Sequence, residues 1–189
     1  MADAVGGYKP SGPLAVLLTG VFGVGKSTLA ADLADRLDEA GVPVAALDLD
    51  WLTWTNVSGA SRAGEHDMML ANLRPMVDRY RSAGARYFVL ARTIRGLEEL
   101  ATLGEALAMP LRVVELTIPF EEIARRLATD PTEARQRDLA QSEQWMSEHS
   151  SGIADLVVVN DRSVRQVAVE ILAWLGWPMP ASARGTRRP

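Results

Sequence analysis

Lys26 is one of two lysines in a chain of 189 residues that otherwise takes its positive charge from arginine, and it stands in the stretch GVFGVGKST at residues 20–28. Gly20, Gly25, Lys26 and Ser27 satisfy the spacing GxxxxGK[ST] of a phosphate-binding loop. Each residue type has a chemical reason to be there. Glycines let successive backbone N–H groups turn toward a phosphate, and a helix starting near Lys26 points its unsatisfied amides and positive dipole end at the same place. Lys26 adds a compact, mobile ammonium for the outer phosphates. Ser27 offers a hydroxyl oxygen to Mg²⁺. Gly23, Val24 and Thr28 complete the expected nucleotide-binding set.

Such a loop works only between a strand and a helix, and the flanking sequence supplies both. PLAVLLT (13–19) is a continuous apolar run, the pattern of a strand buried on both faces. STLAADLADRLDEAG (27–41) stacks Leu29, Leu33 and Leu37 on one side and stops at Gly41, which predicts an amphipathic helix. VPVAALDLD (42–50), RYFVLART (86–93), LRVVELTI (111–118) and ADLVVVND (154–161) read as four more strands, with residues 63–83 mostly helical and a last helix over SVRQVAVEILAWLG. Strands alternating with helices predict an α/β fold of three layers, a five-stranded parallel sheet covered on both faces.

Ligands in such sheets gather at the carboxyl ends of the strands, so the residues delivered there are the candidates for chemistry. The second strand ends in DLDWLTW (48–54). Asp48 and Asp50, two apart at a strand end, are expected to project to opposite sides. One carboxylate near the phosphates can take the proton of an attacking hydroxyl or hold a Mg²⁺-bound water. Asp50, farther past the strand, is expected to be the base, with Asp48 as the metal-water ligand or second candidate base. Trp51 and Trp54 are candidates for an aromatic wall beside a substrate ring.

Arginine placement points to an anionic acceptor. Residues 74–95 hold six arginines against one acid, Asp78. Arg92 follows the apolar run of the third strand and Arg95 lies three residues on, so these two are expected to reach substrate. The stretch 120–145 carries Arg125 and Arg126, a break at Asp130-Pro131, then Arg135 and Arg137, the pattern of a lid at about 128–140 that closes over a triphosphate. His66 and His149 have no acidic or cysteine partner at metal spacing and are expected to be structural.

Composition narrows the class. There is no cysteine, hence no disulfide or thiolate chemistry. Residues 1–177 carry 17 bases against 24 acids, a body too acidic to suit a nucleic-acid backbone. No apolar run spans a bilayer and the N-terminus lacks the pattern of a secretory signal, so a cytoplasmic location is expected. Residues 1–12 are expected to be flexible, 13–177 to form a single domain, and the arginine-bearing tail 178–189 to be disordered. A guanine-specifying NKxD segment, a DxxG loop and an LSGGQ signature are all missing, and the third strand ends in Ala91, Arg92 and Thr93 where a motor ATPase has an Asp. These features leave a small phosphotransferase using ATP and Mg²⁺. A nucleotide-binding ATPase or switch that acts on a protein partner is the alternative.

The GxxGxGKST form of the loop, the DxD at the end of strand two, the RR-bearing helix and the final strand ADLVVVND together resemble the P-loop small-molecule kinases. Adenylylsulfate kinase, gluconate kinase and chloramphenicol phosphotransferase are nearest in pattern, over residues 13–176. The resemblance implies the strand order 2-3-1-4-5, with Gly20 to Thr28 on ATP phosphates and Mg²⁺ and Asp48 or Asp50 near the acceptor. It also implies that Arg126 stacks on adenine, that Arg135 or Arg137 is the lid arginine, and that Asn160 to Arg162 edge the adenine. The implied acceptor is a small molecule with a hydroxyl (nucleoside, nucleotide, sugar acid or antibiotic) and the implied assembly a monomer or homodimer. This chain has LDLDW where adenylylsulfate kinases have LDGDN, and it lacks the CSAL-type run of gluconate kinases.

Overall fold

The computed structural model describes residues 12–53, 62–127 and 152–180. Along these run β1 (Leu14–Thr19), α1 (Lys26–Glu39), β2 (Val44–Asp48), a 3₁₀ turn (Leu49–Leu52), α2 (Arg62–Ser82), β3 (Tyr87–Ala91) and α3 (Leu97–Leu107). β4 (Leu111–Thr117), α4 (Phe120–Leu127), β5 (Leu156–Val159) and α5 (Val164–Leu175) complete the order. The expected lid at 128–140 and most of both terminal segments lie outside the described residues.

The sheet has the order β2-β3-β1-β4-β5 and every pairing is parallel. β1 is therefore the central strand, with Leu17 opposite Leu90 of β3 and Val113 of β4. Its apolar run follows from that place, because alternate residues serve opposite faces of the sheet. Val16 and Leu18 pack on one face with Leu29, Leu33 and Leu37 of α1 and Val167, Ile171 and Leu172 of α5. Ala15 and Leu17 pack on the other with Leu73 and Val77 of α2 and Leu103 and Leu107 of α3. Both faces of β1 are thus fully buried, which fixes the loop that follows it to a rigid base.

Local signals set the ends of the elements. Ser163 caps α5 through a reciprocal pair with Gln166, and Gly176 ends it in the left-handed region at φ 65°. β2 stops at Asp48, two residues short of the sequence expectation. The Asp48 carboxylate accepts a hydrogen bond from the Asp50 N–H and so bends the chain into the 3₁₀ turn. Asp50 therefore does not alternate with Asp48 along a strand; it rides on the turn beyond it.

Candidate active site

The loop after β1 is held from three sides. Gly20 passes so close to β4 that a Cβ there would lie 2.4 Å from the Leu116 carbonyl oxygen, and its φ is +130°. Only glycine meets both conditions without strain. From the end of β3 the Thr93 hydroxyl donates to the Gly20 carbonyl at 2.8 Å, while the Ile94 N–H donates to the Thr19 hydroxyl at 3.0 Å. From the end of β5 the Asn160 amide donates to the Val24 carbonyl at 2.7 Å, and Asn160 is buried.

Gly25, at φ +100°, leads into the first turn of α1, so the N-terminal end of that helix meets the loop. Lys26 is buried, and its Nζ donates to the carbonyls of Gly20 and Val21, each at 3.0 Å. The Phe22 ring lies 5.3 Å from the same ammonium. The charge is thereby fixed at the loop by short-range contacts from the loop itself. Thr28 and Ser27 are exposed on the same turn.

Across from the loop, the end of β2 meets the start of α1. Ser27 Oγ donates to Asp48 Oδ2 at 2.5 Å, and the other oxygen of Asp48 takes the Asp50 N–H at 3.1 Å. Both carboxylate oxygens therefore have protein donors. The Asp50 side chain is 46% exposed, and its Oδ1 lies 3.4 Å from Arg92 Nη1, which is also 3.4 Å from the Leu49 carbonyl. The Arg92 side chain is only 12% exposed. Through Nη1 it contacts the β2 end and Asp50.

The remaining expected residues divide. Trp51, 67% exposed, stands on the same 3₁₀ turn as Asp50. Arg95 is half-buried, its own N–H bonded to Glu99. Arg162 is exposed and pairs with Glu170 at 2.7 Å and Asp161 at 3.6 Å. Arg126 lies on α4, and its side chain, like Trp54, Arg135, Arg137 and His149, lies outside the described residues. Its neighbour Arg125 is exposed and bound to Glu122 one turn back. His66 joins α2 to α3 through Thr102, 2.8 Å away.

Two residues were not among the sequence candidates, Thr19 and Thr93. Their signal is positional: hydroxyls at the ends of adjacent strands, where β1 and β3 run side by side into the loop. Among the described residues no helix is long and apolar enough to cross a membrane.

No protein-family model and no curated protein matches the chain. Solved structures do. An unliganded sugar kinase from Janibacter sp. HTCC2649 aligns at TM-score 0.64 and 21% identity, over 92% of this chain and 99% of that one. The tunicamycin resistance protein of Deinococcus radiodurans aligns at 0.66 and 19%, over 90% and 99%. The Mycobacterium tuberculosis APS kinase, in complex with AMPPNP and APS, aligns at 0.59 and 25%, over 88% and 99%. Gluconokinase and shikimate kinase structures match as well. With the order 2-3-1-4-5 and the phosphate-loop motif at the centre of the sheet, the chain has the fold of the P-loop small-molecule kinases.

Proposed function

We propose that the chain is an ATP-dependent phosphotransferase that moves the γ-phosphoryl group to a hydroxyl of a small acceptor. The observation that carries this reading is the pair of carboxylates on opposite duties beside one loop, Asp48 on the Ser27 hydroxyl and Asp50 on the open side with Arg92.

The donor set suits Mg²⁺, which prefers oxygen ligands: a hydroxyl and a carboxylate meet at 2.5 Å next to the loop. Ser27 would ligate the ion directly and Asp48 through water. Bound there, Mg²⁺ supplies charge neutralisation on the phosphates. Mg²⁺ keeps several waters and is commonly bound through substrate phosphates, which would supply the other ligands.

The chain's own residues do the rest. Loop amides and the Lys26 ammonium bind the phosphates and bear the charge that builds as the γ-phosphoryl group leaves. Asp50 takes the acceptor's hydroxyl proton, the acceptor oxygen bonds to the γ-phosphorus, and the bond to the β–γ bridging oxygen breaks to release ADP. Arg92 holds the Asp50 carboxylate in place through their ion pair. The exposed Trp51 ring and half-buried Arg95 favour an acceptor with a ring or an anionic group, such as a nucleoside, nucleotide, sugar acid or antibiotic. That a neighbouring fold holds AMPPNP supports ATP as the donor.

A coupled ADP-release screen over those acceptor classes tests the reading, with Lys26→Ala as blank. One acceptor should raise ADP release well above the blank. ADP release that no acceptor changes would replace this reading with a nucleotide-hydrolysing switch.

A further inference from the structure

Asn160 is 5% exposed, yet its side chain reaches the phosphate loop 136 positions earlier in the chain, where Nδ2 donates to the Val24 carbonyl at 2.7 Å. Its backbone is fixed too, since the Asn160 N–H donates to the Thr117 carbonyl at 2.8 Å at the end of β4. A buried amide in this position is anchored at one end to the sheet and at the other to the loop.

The consequence lies in the next peptide unit. In a trans peptide the carbonyl of one residue and the N–H of the following residue point to opposite sides, and the described chain has no cis peptide bond. Holding the Val24 carbonyl toward β5 therefore turns the Gly25 N–H the other way. Gly25 has no Cβ and sits at φ +100°, so no side chain of its own restrains its peptide plane, and the Asn160 hydrogen bond to the Val24 carbonyl supplies an outside anchor. Thr93 acts in the same sense at the loop's other end, where it holds the Gly20 carbonyl.

We propose that Asn160 is a positioning residue for nucleotide phosphates: it fixes the Val24–Gly25 peptide plane so that the Gly25 N–H faces the phosphate. This rests on the phosphotransferase reading and changes one part of it. Asn160 acts on the phosphates through the loop, and adenine contact falls to the exposed residues after it.

The test compares ATP with inorganic tripolyphosphate, which has no base, binding each by calorimetry to the full chain and to Asn160→Asp and Asn160→Ser. Asp keeps the shape but sets a carboxylate against the Val24 carbonyl; Ser is smaller and neutral, and serves if Asp does not fold. Melting temperature is measured alongside. The proposal expects both ligands to weaken by the same factor, about tenfold, the loss of one buried hydrogen bond. Weakening of ATP alone overturns it in favour of an adenine contact. A lower melting temperature with unchanged affinities overturns it in favour of a purely structural role. If the unsubstituted chain binds neither ligand, the phosphotransferase reading itself fails, a result separable from the other two.

Discussion

Ser27 Oγ and Asp48 Oδ2 are 2.5 Å apart, which ties the first turn of α1 to the end of β2 through a charge-assisted hydrogen bond. With Asp50 N–H on its other oxygen, Asp48 is oriented before any ligand arrives. Asp48→Asn keeps the size and an oxygen for Ser27 but removes the charge that would face Mg²⁺ in the proposed reading. The half-saturating Mg²⁺ concentration should rise, and turnover should fall, by about 10–100-fold. A Mg²⁺ titration at fixed ATP reads this; an unchanged midpoint removes Asp48 from the metal site.

The proposed reading gives Asp50 the opposite duty, and its carboxylate is half exposed. Asp50→Asn should leave the KM for ATP within about twofold while turnover falls roughly 10²–10⁴-fold, the range for losing a general base. Steady-state kinetics with the acceptor from the screen decide it. Arg92→Ala should lower turnover in the same direction, because the guanidinium that holds Asp50 is gone. Retained turnover in Asp50→Asn would move the base role to Asp48.

The sheet was legible because its signals are local and strong: five apolar runs between helical periods, and one motif whose spacing demands a strand before it and a helix after it. α3 lies outside the elements named from the sequence. The Asp50 position was not legible either, because a two-residue spacing reads as strand alternation until the Asp48 side chain captures the Asp50 N–H. Nor was the tie from Asn160 to Val24, whose partners are 136 residues apart and meet only because β4 lies between β1 and β5. Arg92 was expected to reach substrate from the end of β3; its contacts with the Leu49 carbonyl and Asp50 were not legible, because they depend on β2 packing alongside β3 in parallel register.

Glu115 provides a pH test remote from the loop. It is half-buried on β4, and burial pushes its carboxyl above the ordinary value of 4.5. The folded chain therefore holds this proton more tightly than the unfolded chain. That contribution to stability is complete below the unfolded value and is lost as pH rises through the folded one. At neutral pH the charged carboxylate is a small burden, so Glu115→Gln should raise the melting temperature there by about 1–2 °C, a modest gain because solvent still reaches the group. The difference from the unsubstituted chain should disappear below pH 4.5. A melting series across pH 4–8 reads both limits.

Two glycines give opposite expectations for the same substitution. At Gly20 an added Cβ meets the Leu116 carbonyl at 2.4 Å, and the φ of +130° is one that alanine adopts only with strain. The carbonyl belongs to β4, the neighbour of β1, so neither backbone can move without disturbing the sheet. Gly20→Ala should cost roughly 2 kcal/mol or more and also weaken nucleotide binding, because the Gly20 carbonyl anchors both Thr93 and Lys26. At Gly104, inside α3, a Cβ meets nothing within 4 Å. Gly104→Ala should stabilise by about 0.5–1 kcal/mol, since alanine loses less backbone freedom on entering a helix. Denaturant unfolding of both variants, followed by nucleotide titration, measures the contrast. If Gly104→Ala stabilises and Gly20→Ala is tolerated, the close approach of the loop to β4 is not what holds the phosphate site in place.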